Sequence, residues 1–449
     1  MATPYKIKVT PENTGLFKAA PALTPEAADK VSELLQNDLD THHVFFNDRG
    51  FHDHIVHHLL SLYGTGAGPE HLQKAYDVNS SYQRPAKRPH DDLPERLANW
   101  DEAKKYLGQG DYYPDMLRFF KNELERLGWQ EGVKKYLFEG SERSDDLLRR
   151  MYAGLLHPII QLMFGIEWEQ PAIIAAALAQ AAVHKNSLGN FLKLSEAAAE
   201  TSPEMPPILD LFEEARNNEQ LKSYVTTVDG PNTTNLVTKG IEDAVEMAKK
   251  VRVREGELDE RTAEMMHASL YVASAAAATG GGQGGDKEPR YDFYLIHHVN
   301  LTPIFLTLNE KHWIPTAMKT RILEYKIRVN LITYLAVGCP PLDFSPVMNY
   351  KPRDKPPVPK PTDLLPRFFP IEDDGHTIKL VRAVLIARDV VEKYALADWV
   401  RIRGHDAWLR LMYTVLDATV DPAGQRWVRG TGHDEAWAEV PIKEYGDDD

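Results

Sequence analysis

A chain of 449 residues with 43% hydrophobic content can bury a substantial core. Its formal charge of −14 excludes the basic stripe that a nucleic-acid-binding surface needs. No apolar run is long enough to cross a bilayer, and the start, MATPYKIKVTPENTG, lacks the charged-then-apolar pattern of a secretory signal, so a cytoplasmic protein is expected. A single cysteine, Cys339, rules out a disulfide framework and a cysteine-rich metal site. A metal, if one is bound, must be held by imidazoles and oxygens.

In chain order, the 3.6-residue period predicts helices over Pro25–Leu39, Phe51–Tyr63, Pro114–Leu127, Ser144–Gly165, Pro171–His184 and Thr262–Ala277. It continues over Tyr291–Leu308, Ala317–Val337, Thr377–Tyr394 and Asp406–Leu416. Strand-like alternation is confined to pieces such as YKIKVTP. The expected architecture is therefore mainly α, one large helical domain over residues 1–449 with a buried central cavity. Two breaks interrupt it. The glycine-rich 279–289 reads as a loop, and 339–370, with ten prolines, reads as an extended wrap over the helical body. Residues 444–449 read as a frayed acidic tail.

Four blocks place histidines among apolar residues. In RGFHDHIVHHLLSLYGTG, His54 and His58 are four apart and share a helix face, as metal-binding pairs do, while His57 lies one residue off it. A surface helix with incidental histidines fits that block equally well. His157, in LLHPIIQLMFGIEW, precedes Pro158, which removes a backbone donor and should break or kink the helix. His297 and His298 follow each other in RYDFYLIHHVN and diverge by about 100°, so one at most faces a given centre. In DDGHTIKLVRAV, Asp373, Asp374 and Gly375 read as a turn and helix start, and His376 and Lys379 share a face. Each block alone has a purely structural explanation, a core hydrogen bond or a solvated charge.

Together, in this order, the blocks resemble the fungal questin oxidase family, whose members act as Baeyer–Villiger-type oxidases in anthraquinone and aflatoxin-like polyketide pathways. The resemblance covers about residues 50–385. Gln161 stands where the family often has a second histidine after the HP pair, and Asn300 where a threonine is usual.

The resemblance implies oxidation of a polycyclic phenol or quinone by dioxygen. Neither YGTGAGP nor TGGGQGG joins a strand to a helix as a dinucleotide-binding turn does, so no flavin is expected. Triplet dioxygen then needs a redox metal. The expectation is a mononuclear non-haem iron centre held by His58, His157, His297, His376 and Lys379, with His54 the alternate to His58. The blocks offer no obvious carboxylate ligand, and a protonated lysine cannot ligate. Lys379 is therefore expected as a carbamate, with a salt bridge to Asp374 the plain alternative. Asn300 and Gln161 are candidates to bind oxygen or substrate, and Phe164, Trp168, Phe293 and Tyr294 to pack a flat aromatic ligand. Two other readings stay open: an NADPH-dependent monooxygenase forming a lactone that opens to a benzophenone-type product, and a zinc hydrolase.

Overall fold

The computed structural model describes residues 1–20, 23–199, 204–280, 287–353, 358–420, 422 and 424–443. The protein is mainly α-helical, and among the described residues β structure is limited to isolated bridges, such as Thr3 with Lys6. The alternation in YKIKVTP finds no partner strand. In chain order the helices that frame the functional groups are α1 (Pro25–Thr41), α2 (Ile55–Gly64), α3 (Pro69–Ser80), α4 (Tyr113–Leu127), α5 (His157–Glu167), α6 (Pro171–Val183), α7 (Leu258–Ala278), α8 (Phe293–Asn300), α9 (Pro303–Glu310), α10 (Thr316–Ala336) and α11 (His376–Val391).

Two of the predicted helices are interrupted. The stretch Ser144–Gly165 divides into Glu142–Arg150 and α5, because Leu155 and Leu156 take positive φ (53° and 66°) and Pro158 falls in the first turn of α5. Proline is favoured there, since its missing N–H would be unpaired in any case. Likewise Tyr291–Leu308 divides into α8 and α9, the second starting at Pro303. Among the described residues of 339–370, short turns form at Ser345–Met348, Pro361–Leu364 and Leu365–Phe368, with prolines in their first turns. The acidic tail, and residues 281–286 of the glycine-rich loop, lie outside the described residues.

The chain's contacts gather into two compact units. The first comprises Met1–Gly189, Pro303–Lys319 and Phe369–Arg382. Within it α1, α2 and α3 pack on one another, α2 packs on α5, and α5 and α6 lie side by side with α4 and α9 flanking them. Every residue of α6, PAIIAAALAQAAV, is buried, so this helix is apolar on all faces because it is covered on all faces. Arg382, at the end of this unit's last segment, forms a buried ion pair with Glu167 of α5.

The second unit comprises Asn190–Thr302, Thr320–Phe368 and Ala383–Asp449. Here α7 packs against α8. The start of α8 is fixed by Asp292, whose side chain accepts from the amides of Tyr294 and Leu295 through one oxygen and of Gly430 and Thr431 through the other. In α7, His267 is fully buried, and its Nε2 accepts from the amides of Arg401 and Ile402 at 2.9 and 3.1 Å. Burial, and then Arg401 and Arg403, push this imidazole down to about 3.

That shift makes the fold acid-sensitive. An unfolded histidine gains a proton below about 6.5 while the native one does not, so this contribution is full above pH 6.5 and is lost as pH falls toward 3. At pH 5 the loss amounts to about 2 kcal/mol. Denaturant titrations at pH 7.5 and 5.0 should show a smaller pH effect, by about this amount, in His267→Gln, which keeps an acceptor but cannot titrate. Equal pH dependence in the two proteins would remove His267 as the cause.

Candidate active site

The residue that enters α2, His54, meets three others within the first unit. Its Nδ1 donates to Oδ2 of Asp374 at 3.0 Å, and the other oxygen of Asp374 takes Nδ1 of His376. A carboxylate only accepts, so both rings carry their proton on Nδ1 and present Nε2 as a lone pair. His157, first residue of α5, donates its Nδ1 to the carbonyl of Gly154 at 2.6 Å. Its Nε2 sits 2.7 Å from Nε2 of His54. The His54 and His376 rings are perpendicular with centroids 4.8 Å apart. His54, Asp374 and His376 each offer a donor atom, and these atoms lie within 4.8 Å of one another.

The sequence accounts for this convergence locally. Gly375 has φ +86°, and a Cβ on it would stand 2.5 Å from Cβ of His58. Only glycine lets the Asp373–His376 turn press this closely on α2. The leap from Leu155–Leu156 into α5 likewise sets His157 at a helix start, where Gly154 supplies the acceptor.

Lys379, one turn into α11, is 2% exposed, and its Nζ has no hydrogen-bond partner. Burial pushes the amine down to about 8, with Asp374 and Asp373 pulling the other way. Its charge is felt by His52, His54, His57 and His58, which places it among these rings. Burial, followed by Lys379, pushes His54 down to about 4 against the pull of Asp374. Asp374 itself is held well below the usual carboxylate range: burial opposes ionisation, but His376 and His54 outweigh it.

The other residues singled out by sequence fall as follows. His58 presents Nδ1 to the amide nitrogen of Asn79 at 3.3 Å, so that atom faces a donor. His57 donates Nε2 to Oε1 of Gln161 at 2.7 Å and stacks on Phe164, centroids 5.5 Å apart. Arg382 lies 5.7 Å from the Phe164 ring centre, and Trp168 packs against Tyr63. In the second unit, His297 gives Nδ1 to the carbonyl of Phe293 at 2.6 Å, the same orientation as in His54, His157 and His376. Asn300, one turn on, is 2% exposed with neither amide atom bonded. Tyr294 bonds Asp229 through its hydroxyl, and Phe293 packs edge-on against His297.

Sequence reasoning missed Asp374 as a member of the cluster, reading it as a turn former. The signal was present: a carboxylate two residues before a histidine, across a glycine. It also gave no role to His52, whose ring stacks on His157 with centroids 4.0 Å apart.

A family model described as questin oxidase-like matches residues 51–384, a span that contains every histidine of the cluster. The chain belongs to the questin oxidase-like family. It is 33% identical to a questin oxidase of Aspergillus terreus, with 98% of each chain covered. It is 32% identical to a Baeyer-Villiger monooxygenase of Cryptosporiopsis, covering 96% of this chain and 97% of the relative. It is 31% identical to an oxidoreductase of Aspergillus parasiticus, AflY, covering 96% and 86%. This questin oxidase-like protein is an oxidoreductase, and among its described residues no helix is long and apolar enough to cross a membrane.

Proposed function

We propose that the protein is an iron-dependent oxygenase that inserts oxygen beside a carbonyl of an anthraquinone-like polyketide and opens the ring. The observation that carries the metal is the pair His54 and His157. Both rings have given Nδ1–H to oxygen acceptors, so two lone pairs confront each other 2.7 Å apart. Such a contact is repulsive unless a cation is shared between them. His54 and His157 would hold a metal ion through these two nitrogens, which would turn the repulsion into attraction.

The donor set fits iron. His54, His157 and His376 present Nε2, and Asp374 holds two of these rings by their Nδ1–H groups, as metal-site carboxylates commonly do. Between the two candidates from α2, this orientation favours His54, because Nδ1 of His58 faces a donor. His297, expected from the sequence as a further imidazole ligand, belongs to the second unit, and the iron content of His297→Ala tests that expectation. Lys379 supplies the anionic oxygen as a carbamate. Its neutral amine attacks the carbon of carbon dioxide, the nitrogen releases a proton to solvent, and an anionic oxygen donor results. A buried, unpartnered amine near pKa 8 suits that reaction.

Iron in this set supplies the redox chemistry that lets triplet dioxygen react with a closed-shell phenol. Around it the chain orients and excludes water. Gln161 fixes His57 over Phe164. In the second unit, the unpaired Asn300 amide suits a quinone or phenol oxygen. The polyketide substrate class follows the names of the relatives. Insertion of one oxygen atom leaves the other to be reduced to water by two electrons, from NADPH or from the hydroquinone form of the substrate.

The test is metal analysis of protein purified without oxygen, followed by oxygen uptake with hydroxyanthraquinones, with and without NADPH. One iron per chain and substrate-dependent uptake are expected. Zinc in a colourless protein with no uptake would favour a hydrolase and sink the proposal.

A further inference from the structure

A second group of donors in the first unit lies outside the histidine cluster. Asp38, on the buried face of α1, is followed one turn later by His42, whose Nδ1 stands 2.8 Å from its carboxylate. Asp53, in the segment leading into α2, brings a second carboxylate, and donor atoms of all three residues lie within 4.8 Å of one another. They line a cavity of about 40 Å³, room for an ion or a water. No lysine or arginine borders it, so no cationic side chain there balances the two carboxylates.

A second, independent feature points into the same cavity. Gln180 of α6 is 2% exposed, lines it, and its side-chain carbonyl has no hydrogen-bond partner. A proton shared between the two aspartates would leave that carbonyl unsatisfied. A cation serves both carboxylates and the carbonyl at once, and takes Nδ1 of His42 once the proton that this nitrogen gives to Asp38 moves to Nε2. In the absence of a cation, burial pushes Asp38 up to about 7, and burial together with Asp38 holds Asp53 well above the usual carboxylate range.

We propose that Asp38, Asp53, His42 and the Gln180 carbonyl form a second metal site, one that takes a divalent cation of the Mn²⁺ type. Two carboxylates and a carbonyl are hard oxygen donors and favour Mn²⁺ over the softer metals, and one imidazole is compatible with it. The site has a structural task. Asp53 lies between His52 and His54, so the cation ties α1 and α6 to the segment that delivers the histidines. A wider cleft of about 400 Å³ shares His42 and Tyr113 with the cavity and carries Asp40 beside Lys87, Arg118 and Lys121.

The experiment uses the iron-loaded full-length protein and Mn²⁺ as the probe, with the loss of the free Mn²⁺ resonance measured by electron paramagnetic resonance. One Mn²⁺ per chain beyond the iron is expected, together with a rise in unfolding temperature and an anomalous-scattering peak between Asp38 and Asp53. Asp38→Asn should weaken Mn²⁺ binding by more than about tenfold and keep its iron. Gln180→Leu, which retains the shape, should also weaken it; unchanged binding with a more stable protein would mark Gln180 as a mere orphan. Failure of the wild-type protein to retain Mn²⁺, or equal binding by Asp38→Asn, overturns the proposal. Neither result bears on the iron centre, whose content is measured separately.

Discussion

If Lys379 holds iron as proposed, Lys379→Ala should lose the iron and turn over more than about 100-fold more slowly, because it would remove a ligand and not merely a support for one. Lys379 is buried with an unpartnered amine that burial brings down to about 8. The neutral fraction that reacts with carbon dioxide therefore grows as pH rises through about 8, and iron loading should become faster over the same range. Acetate or propionate added to the alanine variant should restore part of both iron content and turnover by occupying the vacated oxygen position. Zinc-substituted wild-type protein equilibrated with ¹³C-bicarbonate should show a carbamate carbon resonance that the variant lacks. An alanine variant with full iron and full activity would return Lys379 to the role of a buried amine and leave the centre without its anionic ligand.

Much of this geometry was legible in the sequence, and the reasons for the rest are local. Helices with a strong apolar period, such as α1 and α4, were read to within a few residues. Short polar ones such as α3, PEHLQKAYDVNS, and Asn232–Thr238 escaped, since three or four buried positions make no clear period. At Pro158 a break or kink was expected, and the structure breaks the helix there, with the proline in the first turn of α5; Pro303 was read within a helix, whereas the structure uses it to start one. Three of the four blocks meet in the first unit, and all four drew notice because imidazoles among apolar residues are conspicuous; His297 lies in the second unit. Spacing could not say which of His54 and His58 turns a lone pair inward. That is decided by what each Nδ1 meets, Asp374 for one and the Asn79 amide for the other, and both partners are remote in sequence from the histidine or read as something else. The aspartates of the proposed second site were invisible for the same reason: Asp38 sits on a helix face that looks solvated until α6 and Asp53 close over it.

The role of Asp374 separates two readings of the centre, and Asp374→Asn distinguishes them. Both of its oxygens now accept from imidazoles, Nδ1 of His54 and Nδ1 of His376. An asparagine offers one acceptor and one donor, so one ring must meet an N–H with its own N–H. That ring is driven to rotate or to move its proton to Nε2, which removes a lone pair from the metal. As an orienting residue, Asp374 should cost about 10- to 100-fold in iron affinity when changed to asparagine, with the iron that remains still active. If Asp374 is instead a ligand itself, completing two histidines and a carboxylate, the variant should retain no iron at any accessible concentration, and acetate should rescue it as it rescues Lys379→Ala. We expect the first outcome, because a carboxylate already engaged by two N–H groups is a poorer metal donor than the unpartnered group at Lys379. Iron titrations of the two variants in parallel read the difference directly. Unchanged affinity in Asp374→Asn would show that neither imidazole depends on this carboxylate, and would remove the tautomer argument on which the choice of His54 rests.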